Sequence, residues 1–296
     1  MRSRRSREAL LGYALVAPSL LLFAVFVFFP FAKSIEIPFY ERTNCRGFGA
    51  NQTCDRASAG LDQWREILSS DDFRHSLWIT VKFTLMTVPT GIALGLLLAV
   101  IAHQRLRGIT VFRTIFSSTV ATSAAVASVM FFSLFGPQAG AWKWKIDGIP
   151  VLDHPTWTLP VIALVATWQS LGLAFIVMSA GMQAIPDDVL EAAAIDGAGS
   201  VRRFARVVLP LMTPTLFFAF VVGSISAFKT FAEVDLLTDN GGTADSALVL
   251  AYAVYQEGFQ SSNEVRAAVF AVGLFVCVLV LTLLQLRLER RVKYAT

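Results

Sequence analysis

Pro186-Asp187-Asp188-Val189-Leu190-Glu191-Ala192-Ala193-Ala194-Ile195-Asp196-Gly197-Ala198-Gly199-Ser200 is a polar, punctuated stretch set between apolar ones, and its reading decides how the chain is organised. Pro186 breaks the helix before it, because it lacks an N–H and its ring crowds the carbonyl four residues back. Asp187 can cap a new helix, and Asp188 and Glu191 favour its positive N-terminal end. Gly197 and Gly199 stop that helix. Ser200 can cap a second one, which carries Arg202, Arg203 and Arg206 and ends near Pro210. The spacing predicts helix, tight turn, helix, lying along a membrane surface. An ordinary connector needs none of this punctuation.

Outward from this loop the chain is strongly apolar: 55% of its residues are hydrophobic and its mean hydropathy is +0.61. One soluble core of this length needs far less, and the surplus points to the bilayer as a second apolar solvent. A hydrocarbon core about 30 Å thick needs about 20 apolar helical residues. Six stretches qualify: Leu10–Ala32, Leu77–Ala102, Ile109–Phe135, Trp157–Met182, Leu211–Leu237 and Ala267–Leu286. The first follows Arg2, Arg4, Arg5 and Arg7, but it is too long for a signal peptide and lacks a small-x-small cleavage site, so retention is expected.

Basic residues set the orientation. With the N-terminus cytoplasmic, the inside segments hold Arg2 to Arg7, Arg105, Arg107, Arg113, Arg202, Arg203, Arg206, Arg287, Arg290, Arg291 and Lys293. The short outside loops hold Lys143 and Lys145, with Arg266 beside the last one. Six spans with both termini inside is self-consistent. Net charge is only +4, so it is the placement of the charges that informs. The first outside loop, Ser34–Phe73, is turn-rich through Asn44, Gly47, Gly49 and Asn51, and Gly60–Leu68 near its end has the spacing of a short amphipathic helix. Cys45 and Cys54 lie in that loop. An oxidising exterior permits a disulfide there, and two free thiols fit the sequence as well. Cys277 reads as a small apolar residue of the last span.

Catalytic chemistry finds little support. His75, His103 and His154 show no metal-ligand spacing, and the chain lacks a Gly-x-x-x-x-Gly-Lys-Ser/Thr loop. A self-powered transporter needs titratable relays in several spans or inverted, broken helices, and neither is visible.

Glu191-Ala192-Ala193, Gly197 and, nine residues on, Val207-Val208-Leu209-Pro210 resemble the EAA loop of binding-protein-dependent ABC importer permeases, with every spacing kept. The likeness extends along the chain. Gly60-Leu61-Asp62-Gln63-Trp64, Phe112-Arg113-Thr114, Trp168-Gln169-Ser170-Leu171-Gly172, Gly181-Met182-Gln183-Ala184-Ile185-Pro186, Phe228-Lys229-Thr230-Phe231 and Leu237-Thr238-Asp239-Asn240-Gly241-Gly242 look like segments of the carbohydrate-uptake branch, the maltose and glycerol-phosphate permeases. Thr243 departs from that pattern, which has Pro after the Gly pair.

The resemblance implies an all-α membrane protein of the type I importer permease fold, multi-pass in a bacterial cytoplasmic membrane. It implies an N-terminal helix and outer loop in 1–75, a permease core in 76–287 and a tail in 288–296. Glu191, Ala192, Ala193, Asp196, Gly197 and Ala198 would couple to an ATPase. Implied partners are two copies of an ATP-binding ABC subunit, a second permease, an extracytoplasmic solute-binding protein, a carbohydrate and membrane lipid, with no nucleic acid. The chain itself would hold no metal or cofactor, ATP and magnesium being bound by the ATPase subunits.

Aligned through the same loop, Gln169, Ser170, Leu173, Gly223, Ser226, Ala227, Lys229 and Thr230 correspond to the substrate pathway. Gly223, Ser226, Ala227 and Thr230 recur at spacings of three and four and share a helix face. Small residues that pack helices together fit the same positions. Lys229 and Glu233 are spaced to pair along one helix, which accounts for both without a ligand, an anion site at Lys229 being the other reading, and Lys82 is placed to snorkel or pair. The few cations in the spans favour an uncharged sugar over a phosphorylated solute, with Trp168, Gln169, Ser170, Ser226, Phe228 and Thr230 supplying aromatic faces and hydrogen-bonding groups.

Overall fold

A computed structural model describes residues 2–46, 53–104, 107–137, 140–238 and 240–289, with side chains described outside 2–11, 42–46 and 53–56. Gly47, Gly49, Asn51, Arg105, Asp239, Arg290, Arg291 and Lys293 lie outside the described residues, as do the side chains of Arg2 to Arg7, Asn44, Cys45 and Cys54.

Helix α1 (Arg2–Phe23) passes through a π-helical stretch, Ala24–Phe28, into α2 (Phe29–Glu36). The outer loop then forms an antiparallel pair, β1 (Tyr40–Arg46) and β2 (Thr53–Ser58), with Tyr40 opposite Ser58 and Arg46 opposite Thr53. The turn-rich reading of this loop missed the hairpin, because its strands are polar and carry no apolar alternation. The amphipathic helix near the loop's end is present as α3 (Asp62–Leu68), with half-buried Trp64 against Phe39 at 6.0 Å.

Next come α4 (Asp71–His103), α5 (Ile109–Ser118), α6 (Ala124–Phe135), a short hairpin of β3 (Lys145–Ile146) and β4 (Ile149–Pro150), and α7 (Thr158–Gln183). The punctuated loop supplies α8 (Asp187–Ile195), α9 (Ser200–Arg203), a π-turn Phe204–Val208 and α10 (Leu209–Leu211). The chain closes with α11 (Thr213–Phe228), α12 (Ala232–Leu237), α13 (Leu250–Tyr255) and α14 (Glu264–Glu289).

Among the described residues, four segments are long and apolar enough to cross a membrane: Gly12–Phe39, α4, α7 and α14. Two bent pairs, Ile109–Ala121 with Ala124–Phe135 and Ser200–Leu211 with Thr213–Phe228, bring the total to six when each counts as one span. The first bend divides the stretch read from hydropathy as one span, Ile109–Phe135, and the second falls where the sequence already ended a helix near Pro210. The first pair bends by 104° because Thr122 and Ser123 are extended (ψ 121° and 154°) and Ser123 caps a new helix, accepting from the Val126 N–H at 3.3 Å. The second bends by 64° between Pro210 and Pro214, each of which removes a donor from the helical ladder. The fifth span is broken again: Lys229 to Phe231 leave the helix between α11 and α12.

The chain divides into two compact units, Met1–Ser70 with Val254–Gly273, and Asp71–Ala253 with Leu274–Thr296. In the second unit α4 lies directly on α7. A Cβ on Gly95 would meet the Ala174 Cβ at 2.7 Å, so only glycine lets the two backbones come this close. Ala99, Ala102, Phe175, Met178, Met182, Ile185, Val208 and Met212 form a buried cluster that joins α4 and α7 to the end of the punctuated loop. Arg113 donates to the Ala102 carbonyl through Nε at 3.2 Å and Nη2 at 2.7 Å, satisfying the C-terminal end of α4.

Candidate functional site

Two features of the second unit stand out, a solvent-facing helix and a cavity. The helix is α8. Neither predicted cap is used as read: Pro186 holds the N-cap position of α8 and Asp187 is its first helical residue, while Gly199 precedes α9 and Ser200 is its first. Asp187 and Asp188 still place negative charge at the positive helix end.

The far end closes as the sequence demands. Gly197 takes φ +76°, its N–H donates to the Ala194 carbonyl, and the Ala198 N–H donates to the Ala193 carbonyl, both at 3.1 Å. This is the Schellman pattern, and it needs a residue that enters the left-handed region without a Cβ penalty. Leu190 turns inward onto the buried cluster, while Glu191, Ala192, Ala194 and Asp196 are exposed and Ala193 and Ala198 are half-buried. Ile195 and Val201 are 86% and 83% exposed. Sequence reading missed these two. Their signal was an aliphatic side chain on either side of a surface turn.

The cavity lies between α4, α7 and α11, with a volume of about 200 Å³. Of the eight residues read as a substrate pathway, Gln169, Ser170, Leu173, Gly223, Ser226, Ala227 and Thr230 line it. Lys229 does not. It caps the end of α11 and is exposed, and the helix break removes the one-turn pairing with Glu233 expected of it. Glu233 lines the cavity instead and is 6% exposed. No Lys, Arg or His lines the cavity among the described residues. Trp168 and Phe228, read as aromatic faces for a sugar, are turned elsewhere: Trp168 meets the edge of Phe131 at 5.2 Å, and Phe228 is buried in packing. The aromatic ring at the cavity is Phe218.

Gln169 Nε2 donates to the Thr122 carbonyl at 3.3 Å, fixing the bend of the third span, and Ser170 Oγ donates to the Thr167 carbonyl at 2.9 Å. Thr87 also lines the cavity, and its Oγ1 is buried without a hydrogen-bond partner among the described residues. A buried hydroxyl left unpaired costs about 1–3 kcal/mol. Its signal in the sequence was the series Thr80, Thr84, Thr87 and Gly91, spaced along one helix face. Lys82 reaches over the Trp78 ring at 5.2 Å to the centroid, away from the cavity.

Residues 91–294 match the family described as the binding-protein-dependent transport system inner membrane component. The sn-glycerol-3-phosphate transport system permease protein UgpA of Agrobacterium fabrum is 36% identical over 293 residues, 96% of this chain and 97% of that protein. The protein of the same name from Brucella abortus is 34% identical, with 97% of each covered. In fold the chain is similar to a bacterial ABC transporter involved in the import of the acidic polysaccharide alginate, with a TM-score of 0.80 at 21% identity over 99% of this chain and 100% of that one. It is similar also to the MetNI methionine ABC transporter in inward-facing conformations, with a TM-score of 0.57 at 19% identity over 75% of this chain and 96% of that one.

Proposed function

Because the chain belongs to the binding-protein-dependent transport system inner membrane components, we propose that it is the permease subunit of an ATP-driven importer for an uncharged sugar. Residues 76–287 form the permease core. The translocation pathway is completed by a second permease, and an extracytoplasmic binding protein delivers the solute. The chain carries no catalytic residues. ATP and magnesium are handled by two ATPase subunits, which dock on α8 through Glu191, Ala192, Ala193, Asp196, Gly197 and Ala198.

The observation that carries the substrate class is the cavity's charge. It holds one buried carboxylate, Glu233, without an ion-pair partner and without a cation among the described lining residues. A phosphate ester needs several fixed donors or cations in a low-dielectric cavity, and no cation lines this one among the described residues. Sugar hydroxyls both donate and accept, so they can pair with Glu233 and with the Ser170 and Ser226 hydroxyls without a fixed cation.

A second reading, a glycerol-phosphate importer, is favoured by what the relatives are named for. The test is ATP turnover of the assembled complex with its binding protein, measured against neutral sugars and glycerol phosphate, in wild type and Glu233→Gln. Stimulation by a neutral sugar, weakened in the variant, supports the proposal. Stimulation by glycerol phosphate that Glu233→Gln strengthens would replace it with the second reading.

A further inference from the structure

Lys143 and Lys145 are basic residues in a short loop on the side where basic residues are usually sparse. They alternate with tryptophans in Trp142-Lys143-Trp144-Lys145, between α6 and α7. The segment is held firmly. The Ala141 N–H donates to the Ser133 carbonyl at 3.0 Å and the Trp142 N–H to the Leu134 carbonyl at 2.8 Å, so it folds back on the end of α6. The Val151 N–H donates to the Trp144 carbonyl at 3.1 Å, and β3 pairs with β4 across Asp147-Gly148. Both turn residues have positive φ, 52° and 81°, which matches a two-residue hairpin turn of type I′. Val151 and Leu152 are fully buried and anchor the returning arm.

Both indoles rest on the same buried ring, Phe135, at 5.8 Å for Trp142 and 5.9 Å for Trp144. They nonetheless remain 62% and 46% exposed, and both lysines are exposed without an acidic partner among the described residues. The hairpin therefore presents two half-bare indoles and two unpaired ammonium groups within four consecutive residues. Indoles favour the headgroup depth of a bilayer, where the ring is in apolar surroundings and the N–H finds acceptors. Ammonium groups at that depth meet phosphates, each gaining about fivefold in enrichment beside an anionic surface.

We propose that Trp142–Lys145 binds the headgroup of an anionic phospholipid in the outer leaflet. The tryptophans set the depth and the lysines select the charge. The inference goes beyond the transport reading and shares only its topology.

The test uses the assembled importer in nanodiscs of phosphatidylcholine containing either brominated phosphatidylglycerol or an equal amount of brominated phosphatidylcholine. Fluorescence of Trp142 and Trp144 is isolated by subtracting the signal of Trp142→Phe/Trp144→Phe. Quenching should be severalfold stronger with the anionic lipid in wild type and in Lys143→Arg/Lys145→Arg, and equal for the two lipids in Lys143→Gln/Lys145→Gln. Equal quenching in wild type would overturn the charge selection. Absence of quenching by either lipid would overturn the proposal entirely, since the segment would then face water or another subunit. Transport activity enters neither readout, so failure here leaves the permease reading standing.

Discussion

Gly197 offers a perturbation whose cost can be worked from the backbone alone. A Cβ placed there meets nothing within 4 Å, so a substitution creates no clash inside the chain. What it changes is the left-handed conformation at φ +76°, with the two Schellman hydrogen bonds that depend on it. An alanine held there costs about 1–2 kcal/mol, and a β-branched residue more. If an ATPase subunit must find the turn preformed, Gly197→Ala lowers the competent population about 5–30-fold, and Gly197→Val lowers it further. Asparagine tolerates this region, so Gly197→Asn should stay within about twofold of wild type. The assay is co-purification of the ATPase with the permease, followed by solute uptake and ATP hydrolysis in proteoliposomes with the binding protein present. Two outcomes would refute the reasoning. Gly197→Val at wild-type rates would mean the turn does not matter, and Gly197→Asn as damaging as Gly197→Val would mean that size at an interface matters and backbone shape does not.

Glu191→Ala, which deletes a surface contact and leaves the turn intact, should reduce coupling less than Gly197→Val; equal defects in the same uptake assay would contradict this. Cysteines at Ala141 and Ser262 should react with an impermeant thiol reagent from outside and those at Gly108 and Ser200 only from inside, and outside labelling of Ser200 would sink the topology. Gly95→Ala should push α4 from α7 and cost about 1–3 kcal/mol in thermal unfolding of the detergent-solubilised complex, because its Cβ meets Ala174 at 2.7 Å. Arg113→Gln should cost about 1.5–3 kcal/mol in the same measurement by leaving the Ala102 carbonyl without its charged donors.

What the sequence disclosed and what it hid divide along physical lines. The spans were legible because a run of apolar side chains reports its solvent directly. The end of α8 was legible because Gly197 carries a backbone requirement that few other residues meet. The 104° bend was not, since Thr122 and Ser123 are ordinary residues within an apolar run, and hydropathy cannot tell a capped new helix from a continuing one. The break after Phe228 was hidden for the same reason, and it reversed the roles of two charges: Lys229 went to the surface, and Glu233, assigned to neutralise it, went to the cavity. Residues aligned through the loop on α7 and α11 converged on one cavity, which Thr230 reaches from the break beyond α11. The contribution of α4 came from tertiary packing. Thr87 joins the cavity only because Gly95 lets α4 lie so close to α7.

That close packing also bears on how a push at the cytoplasmic surface would reach the solute. Leu190 seats α8 on the buried cluster, to which α7 contributes Phe175, Met178 and Met182, and α4 contributes Ala99 and Ala102. Met178 stands eight residues along α7 from Ser170, about 12 Å of continuous helix. Close-packed interiors deform little, so displacement of α8 moves the cluster as a block and does not dissipate in side-chain rearrangement. The block carries two of the three cavity walls with it. The third wall, α11, is set off from the loop by the 64° bend between Pro210 and Pro214 and from α12 by the break at Lys229. On the proposed function, α4 and α7 would follow the ATPase while α11 turns at its ends. Spin labels on α4 and α7 should then keep a fixed separation through the ATP cycle while their distance to α11 changes. A changing α4–α7 distance would show that the close contact at Gly95 slides, and the coupling would have to run through α9 and α10.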